Sequence, residues 1–455
     1  MKKTFILFSL CAALVGCTET PQETTVHLKG KLIDMGTTKV PMSYDGAESM
    51  IGDGQDILLL TDEEGRFDTI LTVKEPTYYN ILRNTLYLTP GDDMTIKITQ
   101  NNDEAEFTGK GAEVNNYMKY RLFPKGGSFL NGGSGVKEDF AKTKHLIDSL
   151  AALRRNELAA LKEATPRFKQ MEGARIDADI VNSCLTYPTY AFSFRRDIKS
   201  REDFAKATHE ANQEIFPQIQ PMLKELMNDE LLDVAVVRNV LSYVVKPEGE
   251  EYQKLAEGMT PTPYMNELYT AAGYVNELRR KVTPEFYNEV VAFIATMNDP
   301  VCKEEISKKL EQASKLMKGR PAIDFEMTDT EGKTHKLSEW KGKVIYLDFW
   351  ATWCGACINE SPYFEKLAKE MEGKDVVFVP VSTDRSHKDW AEYLSASKKE
   401  LAQYNSLDRL LTTDWAIHFI PRFIVIDKDF KIVDAYAPRP SQPEAKALLE
   451  EVLAQ

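Results

Sequence analysis

Short runs of alternating apolar and polar residues fill the chain from Val26 to Phe107: VHLKGKL, KVPMSY, DILLLT, GRFDTILTV, TYYNILR, TLYLT and MTIKIT. Turn signals such as Asp62-Glu63-Glu64-Gly65 and Pro90-Gly91-Asp92 separate them. A period of two puts alternate side chains on one face, so residues 26–110 are expected to form an antiparallel β-sandwich or small barrel. From Val114 the period changes. VKEDFAKTKHLIDSLAALRRNELAALKEA spaces its apolar residues by three and four until Pro166, as a helix requires. Thr283-Pro284 and Asp299-Pro300 each set a capping residue before a proline that suits the first helical turn. An all-α region is expected over residues 111–318, with Gly126–Gly135 as a flexible loop, or an insertion, within it. From Gly319 the strands VIYLDFW, VVFVPVS and RFIVIDKD alternate with helices near Asn359–Met371, Asp389–Ser397 and Glu444–Leu453. That alternation predicts an α/β domain over residues 319–455.

Ahead of these regions stands MKKTFILFSLCAALVGC. Two lysines, an apolar run from Phe5 to Val15 and the small Gly16 are the parts of a secretory signal, residues 1–16. The run is shorter than the roughly 20 apolar residues that cross a bilayer. Leu14-Val15-Gly16-Cys17 resembles the lipobox of bacterial lipoproteins. The resemblance implies cleavage before Cys17, acylation of that residue, and residues 17–25 as a tether. It also implies a place in the cell envelope, lipid-anchored and facing the periplasm, in either membrane. A net charge of −13 argues against nucleic acid as a partner.

Export changes the meaning of each cysteine, because disulfides persist outside the cytosol. Of six cysteines, Cys11 leaves with the signal and Cys17 takes lipid. Cys184 and Cys302 stand singly in the helical region and read as small buried apolar residues. Cys354 and Cys357 remain, in FWATWCGACINESP. A structural zinc site needs four ligands, and neither a second such pair nor closely spaced histidines exist, so no metal is assigned. A disulfide closing so short a loop removes little unfolded-chain entropy, which argues against a staple. A CxxC that follows a strand and opens a helix suits redox exchange. The first thiol sits at a helix N-terminus, where free N–H groups stabilise thiolate, and the second lies close enough to resolve a mixed disulfide.

YLDFWATWCGACINESP is similar to the active-site segment of thioredoxin-fold proteins, and GRPAIDFEMTDTEGKTHKLSEWKGK resembles the TlpA-like thiol–disulfide oxidoreductases. The β-region ending LTPGDDMTIKI resembles a β-domain of unknown function found ahead of such modules. The resemblance implies an enzyme without cofactor, with Cys354 as nucleophile and Cys357 as resolving thiol. Trp353 would flank the substrate, and Pro362 would kink the helix. WAIHFIPRFIVID would hold a cis-proline, Pro421, with the Ile420 backbone pairing with substrate. Partners would be envelope proteins bearing thiols or disulfides and a membrane electron donor, with net reduction as the implied direction. Three departures stand out: Gly355-Ala356 lacks the proline of strong reductants, Phe419 replaces glycine, and Arg422 replaces a small polar residue. His418 reads as a solvated surface residue. A peroxiredoxin is excluded, because Thr352 is two residues before Cys354 and no proline precedes the pair. The rival from another class is a lipoprotein docking module whose thioredoxin-like domain is not used catalytically.

Two acids accompany the pair. Asp348 lies within an apolar strand, where a charge is costly, and Glu360 lies three residues past Cys357. Asp348 matches the buried acid of thioredoxin, and Glu360 the acid of the TlpA-like branch. Either could take the Cys357 proton, and each could equally be structural, Asp348 at a strand end and Glu360 on a solvated face. The helical spacing favours Glu360 as main acceptor, with Asp348 tuning it. For the anchor, Cys17→Ser is expected to yield unacylated protein that leaves the detergent-rich phase in phase partitioning. Equal partitioning of the two proteins would refute the lipobox reading.

Overall fold

The computed structural model describes residues 24–119, 127–193, 195, 197–397, 399–408 and 410–455. Cys17, the 1–16 signal and nearly all of the 17–25 tether lie outside these, and Thr25 already belongs to the first strand. Two compact units share the described chain. One takes the chain up to Gly46 with Asp56–Leu226 and Glu230–Val240. The other takes Leu241–Gln455 with Ala47–Gln55 and Met227–Asp229.

In the first unit, strands β1 (Thr25–Leu32), β2 (Lys39–Tyr44), β3 (Ile57–Leu60) and β4 (Arg66–Thr72) precede β5 (Thr77–Ile81), β6 (Asn84–Leu88), β7 (Asp93–Ile98) and β8 (Glu106–Lys110). They form two four-stranded sheets, β4-β1-β7-β8 and β3-β2-β5-β6. Alternation decides what they bury. Val26 and Leu28 of β1 with Met94, Ile96 and Ile98 of β7 meet Met42, Ile81, Leu86 and Leu88 of the other sheet in one core. That is a sandwich, as the period of two requires.

Strands β5 and β6 are buried on both faces, because helices cover their outer side. Tyr87 stacks edge-on against Phe168 at 4.9 Å. Asn115 accepts from Tyr87 N–H at 2.9 Å and donates to its carbonyl at 3.0 Å. Tyr78 donates to Glu172 at 2.8 Å, and Arg175 Nε donates to the same oxygen at 2.8 Å. The helices begin where the sequence places caps. Thr165, Thr262, Thr283 and Asp299 each accept a backbone N–H in the first turn, with proline at the helix start. The glycine-rich loop differs from the flexible segment expected. Its described part, from Gly127, is packed: Phe129 and Leu130 are buried, Ser183 Oγ accepts from Phe129 N–H at 2.8 Å, and Asn182 donates to the Gly127 carbonyl at 2.8 Å.

In the second unit, β9 (Glu326–Asp329), β10 (Thr334–Lys336), β11 (Val344–Trp350), β12 (Val376–Ser382), β13 (Tyr404–Asn405), β14 (Arg422–Ile426) and β15 (Ile432–Asp434) form one mixed sheet. Its order is β10-β9-β13-β12-β11-β14-β15. Helices Gly355–Glu370 and Pro443–Leu453 cover one face, through Phe364, Leu367, Leu449 and Val452 against Tyr346, Phe423 and Val425. Ile345, Leu347, Phe349, Val379 and Trp415 fill the other face. The result is a thioredoxin-like α/β domain after a β-sandwich and a helical region, the architecture expected. Helices Pro263–Leu278, Pro284–Thr296 and Pro300–Ser314 belong to the same compact unit. No described helix is long and apolar enough to cross a membrane.

Arg175 and Glu172 form a buried ion pair, whose charges tolerate burial only together. Arg175→Met is expected to cost about 3–5 kcal/mol by stranding the Glu172 charge. Adding Glu172→Leu should recover much of that loss. Urea unfolding followed by hydrogen exchange of peptides from residues 77–88 and from Pro166–Phe192 reads this unit, because all of those residues lie in it. A single variant as stable as the double one would refute the pair's coupling.

Candidate active site

Every residue of β11 is buried, and it is paired on both sides, parallel to β12 and antiparallel to β14. A strand so enclosed is a rigid platform, and the chain leaves it at Trp350 to enter the helix Gly355–Glu370. Cys354 is the N-cap of that helix. Its sulfur accepts the Cys357 N–H at 3.2 Å, and its carbonyl accepts from Ile358 at 3.0 Å. The first N–H groups of a helix have no partner within it, so a sulfur placed there feels both those donors and the helix dipole. Cys354 and Cys357 are joined in a disulfide with Cα atoms 5.3 Å apart. Cys354 is 8% exposed and Cys357 only 2%, so the outer sulfur is the one an incoming group meets first. Pro362 lies inside the helix and removes one of its hydrogen bonds.

The turn before the pair is held from the next strand. Thr352 donates through both N–H and Oγ1 to the Asp384 carboxylate, each at 2.9 Å, and Ser382 Oγ donates to the same group at 2.6 Å. Asn405 in turn donates to the Asp384 carbonyl at 2.9 Å. Asp384 was not among the residues expected at the site. The only sequence signal for it is the polar run Ser382-Thr383-Asp384 closing an otherwise apolar strand.

The Ile420–Pro421 peptide is cis, as the resemblance implies. Ile420 packs on a cluster of Trp350, Ala351, Cys354, Cys357 and Trp390. Trp353 and Phe419 are exposed at 72% and 62%, large apolar groups left uncovered on either side of the pair in sequence. With Leu407 and Ile420 they border a cleft of about 340 Å³. His418 lines it and is exposed, yet neighbouring atoms desolvate it enough to hold its pKa below the usual imidazole value, so it is not fully solvated. Arg422 turns out to be structural. Its Nε donates to the Ala435 carbonyl at 2.6 Å, and its guanidinium lies 3.4 Å from the Tyr436 ring centre.

The two acids differ in their surroundings. Glu360 is buried and accepts from Ser441 N–H at 3.2 Å and Oγ at 2.9 Å, with Arg439 at 3.9 Å. Asp348 is buried between Phe423 of β14 and Pro380 of β12, and its Oδ1 has no hydrogen-bond partner among the described residues. Burial pushes its carboxyl up to about 8, with Lys399 opposing and Glu360 reinforcing the rise. Alternation puts Asp348 on the strand face of Tyr346, the face covered by the helix that carries Cys357. Cys184 and Cys302 are fully buried, and burial pushes the Cys184 thiol up to about 12.

Residues 317–453 match the family model described as Redoxin. The chain is similar to a thiol-disulfide oxidoreductase ResA of Bacillus cereus, with 28% identity covering 30% of this chain and 80% of that protein. For ResA of Bacillus subtilis (strain 168) the identity is 30%, covering 29% of this chain and 66% of the relative. Among solved structures, a thiol-disulfide oxidoreductase candidate from Bacteroides vulgatus is 61% identical, covering 30% of this chain and 99% of that one, with a TM-score of 0.30. The C-terminal domain is thus a Redoxin-type, thioredoxin-like domain akin to the ResA and TlpA thiol–disulfide oxidoreductases, with a CxxC disulfide at Cys354 and Cys357.

Proposed function

We propose that the protein is an exported, membrane-anchored thiol–disulfide oxidoreductase that reduces disulfides of envelope proteins. The position of Cys354 sulfur at a helix N-terminus, with Ile420 of the cis-proline loop packed on its cluster, carries the reading. The thiolate of reduced Cys354 attacks one sulfur of a substrate disulfide. That S–S bond breaks, one substrate sulfur leaves as thiolate, and the other stays bonded to Cys354. Cys357 then gives up its proton, and its thiolate attacks the Cys354 sulfur. The Cys354–Cys357 disulfide forms and the second substrate thiolate departs. Two electrons have passed to the substrate, and a membrane dithiol donor would return them by the reverse exchange. The cleft bordered by Trp353, Leu407 and Phe419 suits the apolar segment around a substrate cysteine, with the Ile420 backbone pairing to it. The leader and Cys17 support export and anchoring, facing the periplasm.

Asp348 is the better proton acceptor of the two acids. A base works best when its proton affinity is close to that of the donor. A carboxyl near 8 approaches a thiol whose ordinary value is about 8.5. Glu360 is instead occupied by Ser441, a bond that holds the helix to the segment before Pro443–Leu453. This reverses the weighting that helical spacing alone suggests.

A Cys357→Ala variant, which cannot resolve, should accumulate its natural substrates as mixed disulfides on Cys354, identifiable after isolation from envelopes. Recovery of no thiol-linked protein, with Cys354 intact and reactive, would refute substrate reduction. The acids are separated by rapid-quench kinetics on a preformed mixed disulfide. Wild-type resolution should rise with pH through a midpoint near 8, as Asp348 loses its proton and becomes a base. Asp348→Asn should move that rise to higher pH, where Cys357 ionises unaided, and resolve at least about tenfold more slowly at pH 8. A larger defect in Glu360→Gln would return the role to the helix acid.

A further inference from the structure

The cleft beside the cysteine pair takes one wall from the chain just ahead of the cis-proline loop. Leu411 and Thr412, in the short helix Leu410–Thr413, line it together with Leu407 and Phe419. A helix this short leaves its carbonyls without partners of its own. The Leu410 carbonyl accepts from Trp415 N–H at 2.9 Å and that of Leu411 from Ile417 N–H at 2.8 Å, so the chain folds back and runs on into His418 and Phe419. The next two carbonyls are met from ahead of residue 319. Gln312, on helix Pro300–Ser314, donates through Nε2 to the Thr412 carbonyl at 3.0 Å and to the Thr413 carbonyl. Lys315, just past that helix, donates to Asp414 at 2.9 Å.

That helix is fixed in its turn. Glu305, Lys309 and Gln312 are four and three residues apart, so they share one stripe of it. Gly54 N–H donates to Glu305 at 3.2 Å, and Lys309 donates to Asp53 at 2.7 Å. A Cβ on Gly52 or Gly54 would collide with the Glu305 carboxylate, so the chain needs glycine on both sides of Asp53 to lie this close. Residues 52–54, the helix and the cleft wall belong to one compact unit. A single helical stripe thus carries an anchor at one end and the cleft wall at the other.

We propose that Gln312 is a positioning residue for substrate: by donating to the Thr412 and Thr413 carbonyls it holds the wall of Leu411 and Thr412 in place, so that disulfides carried on apolar chain segments are favoured over small free ones. This rests on the reading of the cleft as the substrate site. Gln312 acts through the wall and not on the sulfurs, so its effect falls on how substrate is seated and not on the exchange itself. The chain ahead of residue 319 thereby takes a part in substrate choice.

The test mixes reduced full-length protein with excess disulfide and follows its oxidation by stopped-flow tryptophan fluorescence. One probe is bis(2-hydroxyethyl) disulfide. The other is a peptide whose single cysteine, flanked by leucines, is disulfide-linked to 2-mercaptoethanol. With either, Cys354 and Cys357 together lose two electrons and two protons, and the probe leaves as two thiols. Gln312→Ala should raise the half-saturating peptide concentration about tenfold, the order expected when one or two hydrogen bonds that shape the site are lost. The limiting rate, and the rate with the small disulfide, should stay within about twofold, as they do when only binding is lost. Gln312→Arg, which keeps two donors, should restore the peptide dependence. Gln312→Glu, of the same size without a donor, should not, and it gives the same reading if the alanine variant fails to fold. Phe419→Ser, in the cleft itself, should also raise the peptide concentration needed. A peptide dependence altered by Phe419→Ser and not by a folded Gln312→Ala would overturn the role of Gln312 and leave the cleft as the substrate site. A dependence unmoved by Phe419→Ser would overturn the cleft reading, and the proposal with it. Equal slowing of both probes in Gln312→Ala would place the defect at the redox pair and overturn a role in seating substrate.

Discussion

The sulfur of Cys354 at the N-cap of the helix Gly355–Glu370 is the contact on which the redox site turns. A helix offers unpartnered N–H groups only in its first turn, so negative charge is stabilised there and nowhere further along. Two cysteines three residues apart are thereby made chemically unequal, one slightly accessible at the helix N-terminus and the other wholly buried behind it. Keeping that inequality requires that the N-cap not drift. The enclosed strand β11 fixes the approach, and the Asp384 carboxylate fixes the turn by accepting twice from Thr352.

The same strand that gives rigidity carries its one costly residue. An ionised carboxylate at Asp348 would be desolvated without a hydrogen-bond partner for Oδ1, and the fold avoids this by retaining the proton. Between the ordinary value of 3.8 and about 8, the folded chain holds a proton that the unfolded chain has released. The contribution of this group to stability therefore falls as pH rises through that window. A residue that weakens the fold at working pH persists most easily where it is used. A strand acid that holds its proton up to the range where a thiol also titrates is suited to exchange with one.

What was legible in the sequence was local. Alternation in β1 and β7 gave the buried face of the sandwich directly, and the Thr-Pro and Asp-Pro pairs marked helix starts because a cap acts within four residues. The strand-turn-helix around the CxxC was legible for the same reason. Contacts that join distant segments left little trace. Lys399 reaches Ser361 across thirty-eight residues and Asp384 reaches Thr352 across thirty-two, and neither spacing is a motif. The glycine-rich loop read as flexible because Asn182 and Ser183, which hold it, lie on a helix fifty-five and fifty-four residues later. The contact that sets Glu360 apart from Asp348 is of the same kind: Ser441, which occupies Glu360, lies eighty-one residues away.

Arg422 shows why the α/β domain does not end cleanly at Gly319. It follows the cis-proline directly, at the start of β14, and a small residue there would make none of its contacts. Instead its guanidinium is held by the Ala435 carbonyl, by the Tyr436 ring and by the Arg279 carbonyl at 3.4 Å. Tyr436 in turn donates to the Leu278 carbonyl at 2.7 Å. Those two carbonyls sit at the end of helix Pro263–Leu278, where the last carbonyls of a helix have no partner within it. Each side thus supplies what the other lacks: the helix end gives acceptors, and Arg422 at the start of β14 with Tyr436 just past β15 gives donors. A domain cut at Gly319 would strip both acceptors from groups that are costly to leave unpaired. The helices before the α/β domain are on this account part of what holds the cis-proline loop in place.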